Sequence, residues 1–393
     1  MAEERTAKRT RRIHHSGRFS QIGIYLGKQL RFFISENDWK VLPMAAIIAG
    51  LVGMVIRNRF FINMEGSLIG AFALTCVAIW NGCFNSIQSI CRERGIVKRE
   101  HRSGMHVSSY ICAHMLYQLM LCLLQTGLSI YVLVLLGVPF PLEGFMTPLM
   151  VLDIGITMLL VSYAADMLSL FISSVSHTTT GAMTVMPFVL IFQLVFSGGV
   201  IPLPAWSQPL SNFTISNYGI QTLAAQSGYN ELPMVTAWNT LSGMRDKEMG
   251  GTFTLGQVLD LLDSPGVEKY RDAVILSPAS SEDGSEEIPA EDAEARTLRL
   301  GPLLDALKSS EALNEERDQT FTVSFTLRDV FDIFGEEKVK ALVQQKTAEA
   351  AYNEDYARTR GNILGNWMVL GLFILFFAFL ATLSLELIDK DKR

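Results

Sequence analysis

The stretch Cys91-Arg92-Glu93-Arg94-Gly95-Ile96-Val97-Lys98-Arg99-Glu100-His101-Arg102-Ser103-Gly104-Met105 is dense in charge and sits between two long apolar runs. A loop that only has to stay on the cytoplasmic side of a membrane needs basic residues. It does not need acids alternating with bases, a helix-compatible start and a Ser-Gly stop. The pattern predicts a short helix at the cytoplasmic surface, where a soluble partner pushes on it.

Outward from this stretch the chain is apolar in blocks. It has 393 residues, 49% of them hydrophobic. That composition argues against two soluble domains and for a membrane protein with one soluble insert. A span needs about 20 mostly apolar residues to cross about 30 Å of hydrocarbon. Six runs qualify: Lys40 to Ile56, with Pro43 near its start, Ser67 to Ile90, Tyr110 to Leu136, Thr147 to Ile172, Gly181 to Ile201 and Ile363 to Leu387. No secretory leader is recognised before the first of them.

Lys and Arg in short loops set the orientation. Arg5, Lys8, Arg9, Arg11 and Arg12, the bases of the quoted stretch, and Lys390, Lys392 and Arg393 fall on one side of six spans, which is then the cytoplasm. Val138 to Met146 has no Lys or Arg, as expected outside; Arg57 and Arg59 run against the rule. The expected fold is mainly α. Residues 1–18 are a basic cytoplasmic tail, 19–39 an amphipathic helix, 40–201 five spans with the charged helix at 91–105, and 202–362 an acidic extracellular α+β insert. The sixth span is 363–387 and 388–393 a cytoplasmic tail. Cys76, Cys83, Cys91, Cys112 and Cys122 lie in or beside spans two and three, so the insert has no disulfide framework.

Between Phe19 and Trp39, Ile22, Tyr25, Leu26, Gln29, Leu30 and Phe33 recur at helical spacing, with Lys28 and Arg31 on the other side. Such a helix lies along the inner membrane surface or simply precedes the first span; the residues leave both open. In the insert, Asn212 to Gly228 reads as a short re-entrant or interface helix and Phe253 to Tyr270 as a helix. Ser277 to Ala295 reads as a mobile loop and Thr320 to Phe325 as a strand. Thr326 or Asp329 caps a helix from Leu327, broken near Gly335 and resumed from Glu336 to Arg358.

The sequence holds no phosphate loop, His-Glu-x-x-His, Gly-x-Ser-x-Gly or Cys-x-x-Cys. No catalytic, metal or cofactor site is expected in this chain. His14-His15 and the run Glu282, Asp283, Glu286, Glu287 read as solvated chain. Polar residues inside spans weigh more, because each is costly in hydrocarbon. Asn81, Asn85 and Gln88 share one face of span two, either lining a path or bonding between helices. Asp153 and Asp166 in span four are read as structural ion partners of His114 or of the basic loop rather than as a proton relay. Phe188, Phe192 and Phe196 recur every fourth residue of span five, beside Gln193, as a packing stripe or an aromatic wall for an apolar substrate.

Arg92-Glu93-Arg94 through Arg99-Glu100, then Ser103-Gly104-Met105 and Ser109-Tyr110, resemble the charged run of the membrane subunit of type-2 ABC exporters, nearest the G subfamily. Gly198-Gly199 through Pro204 and Trp206, Leu210-Ser211 and Ser216-Asn217-Tyr218-Gly219 are similar to that family's pattern after span five. The resemblance covers about residues 19 to 230 and the last span. It implies that residues 19–39 are a connecting helix. It implies that Arg92, Glu93, Arg94, Lys98, Arg99 and Glu100 belong to a coupling helix that docks on a nucleotide-binding ATPase subunit. ATP and Mg are then bound by that partner. It also implies two membrane subunits, expected to be two copies, whose spans two and five line a central cavity. The matching lining is Asn81, Phe84, Asn85, Gln88, Phe188, Phe192 and Phe196, with a valve near Leu194, Val195 or Phe196. Two departures stand: no fused nucleotide-binding domain, so a separate chain or a removed N-terminal domain supplies it, and a larger, cysteine-free insert.

The expected function is the membrane half of an ATP-driven exporter in a bacterial plasma membrane, both termini inside and membrane lipid around it. It moves an amphipathic lipid, peptide or drug-like substrate by alternating access, and no nucleic-acid partner is expected. The rival is a membrane-anchored envelope binding or assembly protein acting through its extracellular domain.

Overall fold

The computed structural model describes residues 17–35, 38–199, 203–262, 274–276, 298–310 and 317–387. The N-terminal basic cluster with His14 and His15, the loop 277–295 with its acidic run, and the terminal Lys390-Asp391-Lys392-Arg393 lie outside the described residues. The chain divides into two compact units, Met1–Val235 with Ala348–Arg393, and Thr236–Thr347. Of the expected insert, the middle forms the second unit and both ends belong to the first.

The described residues of the first unit form helices joined by turns and loops, with no strand among them. Its elements are α1 (Arg18–Ser35), α2 (Val41–Ile56), α3 (Met64–Ser86), α4 (Ser89–Arg102), α5 (Val107–Leu135), α6 (Met150–Val175), α7 (Thr179–Val195), α8 (Gln208–Ser211), α9 (Ile215–Gln226) and α10 (Arg360–Glu386). Side-chain caps start several of them. Asn63, in extended backbone, accepts from Gly66 N–H at 2.7 Å, and Glu65 sits in the positive first turn of α3. Thr178 and Thr359 cap α7 and α10 in the same way.

Among the described residues four helical stretches are long and apolar enough to cross a membrane: Met64–Arg102, taken through the break at 87–88, Val107–Leu135, Met150–Val175 and Arg360–Glu386. The other two expected spans are apolar but shorter. α2 has 16 residues and α7 has 17, each about 25 Å of helix. α7 stops at Val195, before the expected Ile201. Gly198 turns the chain with φ +71°, and the Gln193 carbonyl accepts from the Ser216 hydroxyl.

The core forms where small residues let helices touch. A Cβ on Gly82 would lie 1.9 Å from the Ser162 carbonyl oxygen, so α3 and α6 meet backbone to backbone there. Gly219 seats α9 against Val161 of α6 and Thr75 of α3. The helix expected between Asn212 and Gly228 is therefore α9. Its Ile215, Ile220, Leu223, Ala224 and Ala225 are buried in the bundle. The α9 N-terminus is capped from α7, where Gln193 Oε1 accepts from Ile215 N–H at 2.8 Å and Ser216 N–H at 3.4 Å.

The second unit mixes helix and strand. β1 (Glu248–Thr254) pairs antiparallel with β4 (Thr320–Thr326), Glu248 opposite Thr326 and Thr254 opposite Thr320. Short β2 (Val274–Leu276) pairs with β3 (Leu298–Arg299). Thr326 and Asp329 form a reciprocal capping box for the helix Leu327–Phe334, and Gly335 ends it at φ +83°. Hydrogen bonding from the Thr326 backbone and hydroxyl holds the Asp329 carboxyl below its usual range. Trp238 packs on Phe331 with ring centroids 5.3 Å apart. Phe253 and Thr254 are strand rather than the start of a helix, which runs Leu255–Leu262; the remainder of that expected helix, 263–270, lies outside the described residues. The helix after Gly335 ends at Ala350, short of the expected Arg358.

Candidate functional site

The quoted stretch folds as α4, and its ends explain why. Ser173 of α6 accepts from the first amides, Ile90 and Cys91 N–H, each at 3.1 Å. At the other end Met105 N–H reaches the Glu100 carbonyl and Gly104 N–H the His101 carbonyl, with Gly104 at φ +101°. That pair of bonds closes a helix through a left-handed residue, which glycine adopts without a Cβ clash.

The charges of α4 separate into two faces. The inward face is tied to α1 and α6. Glu93, 7% exposed at its side chain, pairs with Lys28 Nζ at 2.7 Å. Tyr25 donates its hydroxyl to Glu100 Oε2 at 3.0 Å. Burial first, and the Glu100 carboxylate second, hold the Tyr25 phenol above its ordinary pKa. Arg94 donates to the Ser174 and Ser176 carbonyls at the end of α6, at 2.7 and 3.2 Å. Gln21 joins the turn after α4, donating to Gly104 O at 3.3 Å and accepting from His106 N–H at 3.0 Å. The outward face carries Arg92, Gly95, Ile96, Arg99 and Arg102, all exposed and at helical spacing. Lys98 is half-buried.

On α1 the inward residues are Gln21, Tyr25, Lys28 and Gln29, one stripe along the helix. Lys28 thus shares the side of Tyr25 instead of opposing it. Phe19, Ile24 and Ile34 point away and are 89%, 61% and 76% exposed.

The intramembrane acids do not form the expected ion pairs. Asp153 accepts from three backbone N–H groups, Phe145 and Met146 at Oδ2 and Thr147 at Oδ1, at 2.7 to 2.9 Å. It shapes the loop ahead of its own helix. Asp166 accepts from the Ser86 hydroxyl and from Cys122 Sγ, the latter at 3.5 Å. His114 meets Gln29 across the α1–α5 seam at 3.1 Å. Nearby, Asn85 and Gln125 exchange two amide bonds at 2.8 and 3.0 Å, tying α3 to α5.

The seven residues expected to line a path divide among three places. Asn81, Phe84 and Asn85 border an apolar cavity of about 360 Å³ with Met44, Ile48 and Trp80. Phe84, Asn85 and Gln88 border a second, of about 220 Å³, that reaches Arg92 and Glu93 of α4. Phe188, 71% exposed, and Phe192, 36% exposed, lie on the outside of α7, with the Phe192 and Phe196 rings 5.0 Å apart. The structure does not bring these phenylalanines to either cavity. Sequence spacing showed the α4 charges but missed their partners. Lys28 is 65 positions from Glu93, and Ser173 carries no motif.

Residues 31–226 match the family model described as ABC-2 type transporter. About half of the chain, including α2 to α9, is therefore a membrane domain of the ABC-2 transporter class, and the protein is a membrane protein of permease type. The chain is also 25% identical over 199 residues to the ABC transporter ATP-binding/permease protein Rv1747 of Mycobacterium tuberculosis. That alignment covers 48% of this chain and 23% of the relative. The chain thus spans under a quarter of that protein's length.

Proposed function

We propose that this chain is the membrane subunit of an ATP-driven exporter that moves an amphipathic substrate outward, working as a pair of membrane subunits. In this reading α2 and α7 complete six spans. Residues 202–362 lie outside, the termini lie inside, and a nucleotide-binding ATPase supplies ATP and Mg. The observation that carries the reading is α4. It is a charged helix clamped on one face to α1 and α6 and presenting Arg92, Ile96, Arg99 and Arg102 on the other. A clamp of that kind passes displacement from a docked partner into α6 and α1, because an ion pair and hydrogen bonds join α4 directly to both. The relative named above joins ATP-binding and permease parts in one protein, which supports an ATPase partner here. The likeness of the charged run to the G subfamily supports that subfamily.

The test is ATP-dependent movement of a fluorescent phospholipid analogue in vesicles holding the chain and its ATPase. Reversing both Glu93 and Arg94 is expected to abolish movement while the chain still inserts. Unchanged movement overturns the coupling role. A second reading, an anchored binding or assembly protein, draws on the compact unit Thr236–Thr347. It predicts partner capture by that unit and no ATP-dependent movement.

A further inference from the structure

At the end of the bundle opposite α4, the chain after α7, α9 and the turn ahead of α10 enclose a cavity of about 550 Å³. That volume lies in the range of small-molecule sites. Its chemistry is unlike that of the apolar cavity beside α2. Amide side chains dominate its wall, Gln208, Asn212, Asn217 and Gln221 among them, with the Asp355 carboxylate and the Tyr356 ring. Several of these polar ends are uncommitted. Asn217 is 7% exposed, and its oxygen accepts from Gln221 at 3.2 Å while its amide nitrogen makes no bond. The Asp355 carboxylate and the Gln208 and Asn212 amides also make no side-chain hydrogen bond, although the Asp355 backbone N–H is held by Asn353 at 2.9 Å.

These groups restrict what fits. An anion needs Lys, Arg or a helix N-terminus. Among the described residues no Lys or Arg borders the cavity, and the α9 N-terminus is already capped by Gln193. A quaternary ammonium favours an aromatic cage, and among the described lining residues Tyr356 alone supplies a ring. Amides donate and accept at once and a carboxylate accepts from hydroxyls. That combination complements a group which itself donates and accepts at several points. We propose that this cavity binds an uncharged, hydroxyl-rich group, a sugar or polyol. The inference deepens the exporter reading, since such a group would be the polar head of the amphipathic substrate, but the binding itself needs no ATP.

The test is equilibrium dialysis of labelled maltose against the full chain in nanodiscs of phosphatidylethanolamine and phosphatidylserine. Tetramethylammonium and inorganic phosphate serve as counter-probes. Maltose is expected to bind saturably. Asn217→Ala and, separately, the exposed pair Gln208→Ala with Asp355→Ala should each weaken it about tenfold or more, with the helical melting curve unchanged. Addition of a glucosyl diacylglycerol to the nanodisc separates the sources. If it displaces maltose, the group arrives on a lipid; if maltose stays bound, the site takes free sugar; either result upholds the site. Absence of binding to maltose and to the glycolipid overturns the proposal. So does binding indifferent to both variants, or a preference for tetramethylammonium or phosphate. A chain that binds maltose but moves no lipid with an ATPase keeps this site and removes the exporter reading. An exporter that binds no sugar does the reverse.

Discussion

Gly82 shows how one residue sets the bundle. Its α-carbon takes α3 against the α6 backbone, and the nearest atom to an added Cβ is a carbonyl oxygen that cannot step aside. Gly82→Ala is expected to cost about 1–3 kcal/mol by forcing the helices apart, read as a lower thermal midpoint in detergent. Gly95→Ala, with nothing within 4 Å, should be neutral or mildly stabilising, since alanine is favoured over glycine in helices by up to about 1 kcal/mol. Tyr356 gives a second test. Burial first, then Tyr229 and Asp355, push its phenol up to about 12. A folded-state pKa raised above the unfolded value means stability that is full below pH about 10 and is lost as pH rises through about 12. Melting curves from pH 9 to 12 should fall more for the natural chain than for Tyr356→Phe. Equal slopes would mean that Tyr356 is not what titrates.

At the scale of elements, the α1–α4 pair is the informative one. Lys28 and Glu93 are a partly buried ion pair, so removing one partner strands a charge away from water. Lys28→Glu is expected to cost on the order of 1–3 kcal/mol and to free α1, seen as faster proteolysis after Arg18. The swap Lys28→Glu with Glu93→Lys should restore most of the protection. Equal damage from the swap would mean that the pair holds nothing together. The existence of α4 was legible in the sequence, because its charge alternation and Ser-Gly stop are local. So were the strand at Thr320, the Thr326–Asp329 cap and the break at Gly335, each encoded within a few residues. The second strand was not legible: β1 contains Gly250 and Gly251, which mask a β pattern, and it pairs across about 70 positions of chain. Nor was the role of Asp153. An acid in a span reads as half of an ion pair, and only the folded loop shows three amides converging on it.

For the whole molecule, an apolar helical unit holds the matched ABC-2 segment, and a separate acidic α+β unit is inserted before the last helix. Length and hydropathy made the helical class legible, and four stretches among the described residues meet the requirement for crossing. The lining expected for a path was less legible, because periodicity places Asn81, Asn85 and Gln88 on one face but does not say what stands opposite. The central claim is that the outward face of α4 engages a nucleotide-binding ATPase. The measurement that tests it most directly is affinity purification of the full chain from membranes, with ATPase activity assayed in what comes with it. The expected result is a stoichiometric ATPase that is lost from the Arg92→Glu with Arg99→Glu variant, while that variant keeps the proteolytic protection of α1. An ATPase that remains bound to the variant, or a chain that purifies with no ATPase at all, would contradict it.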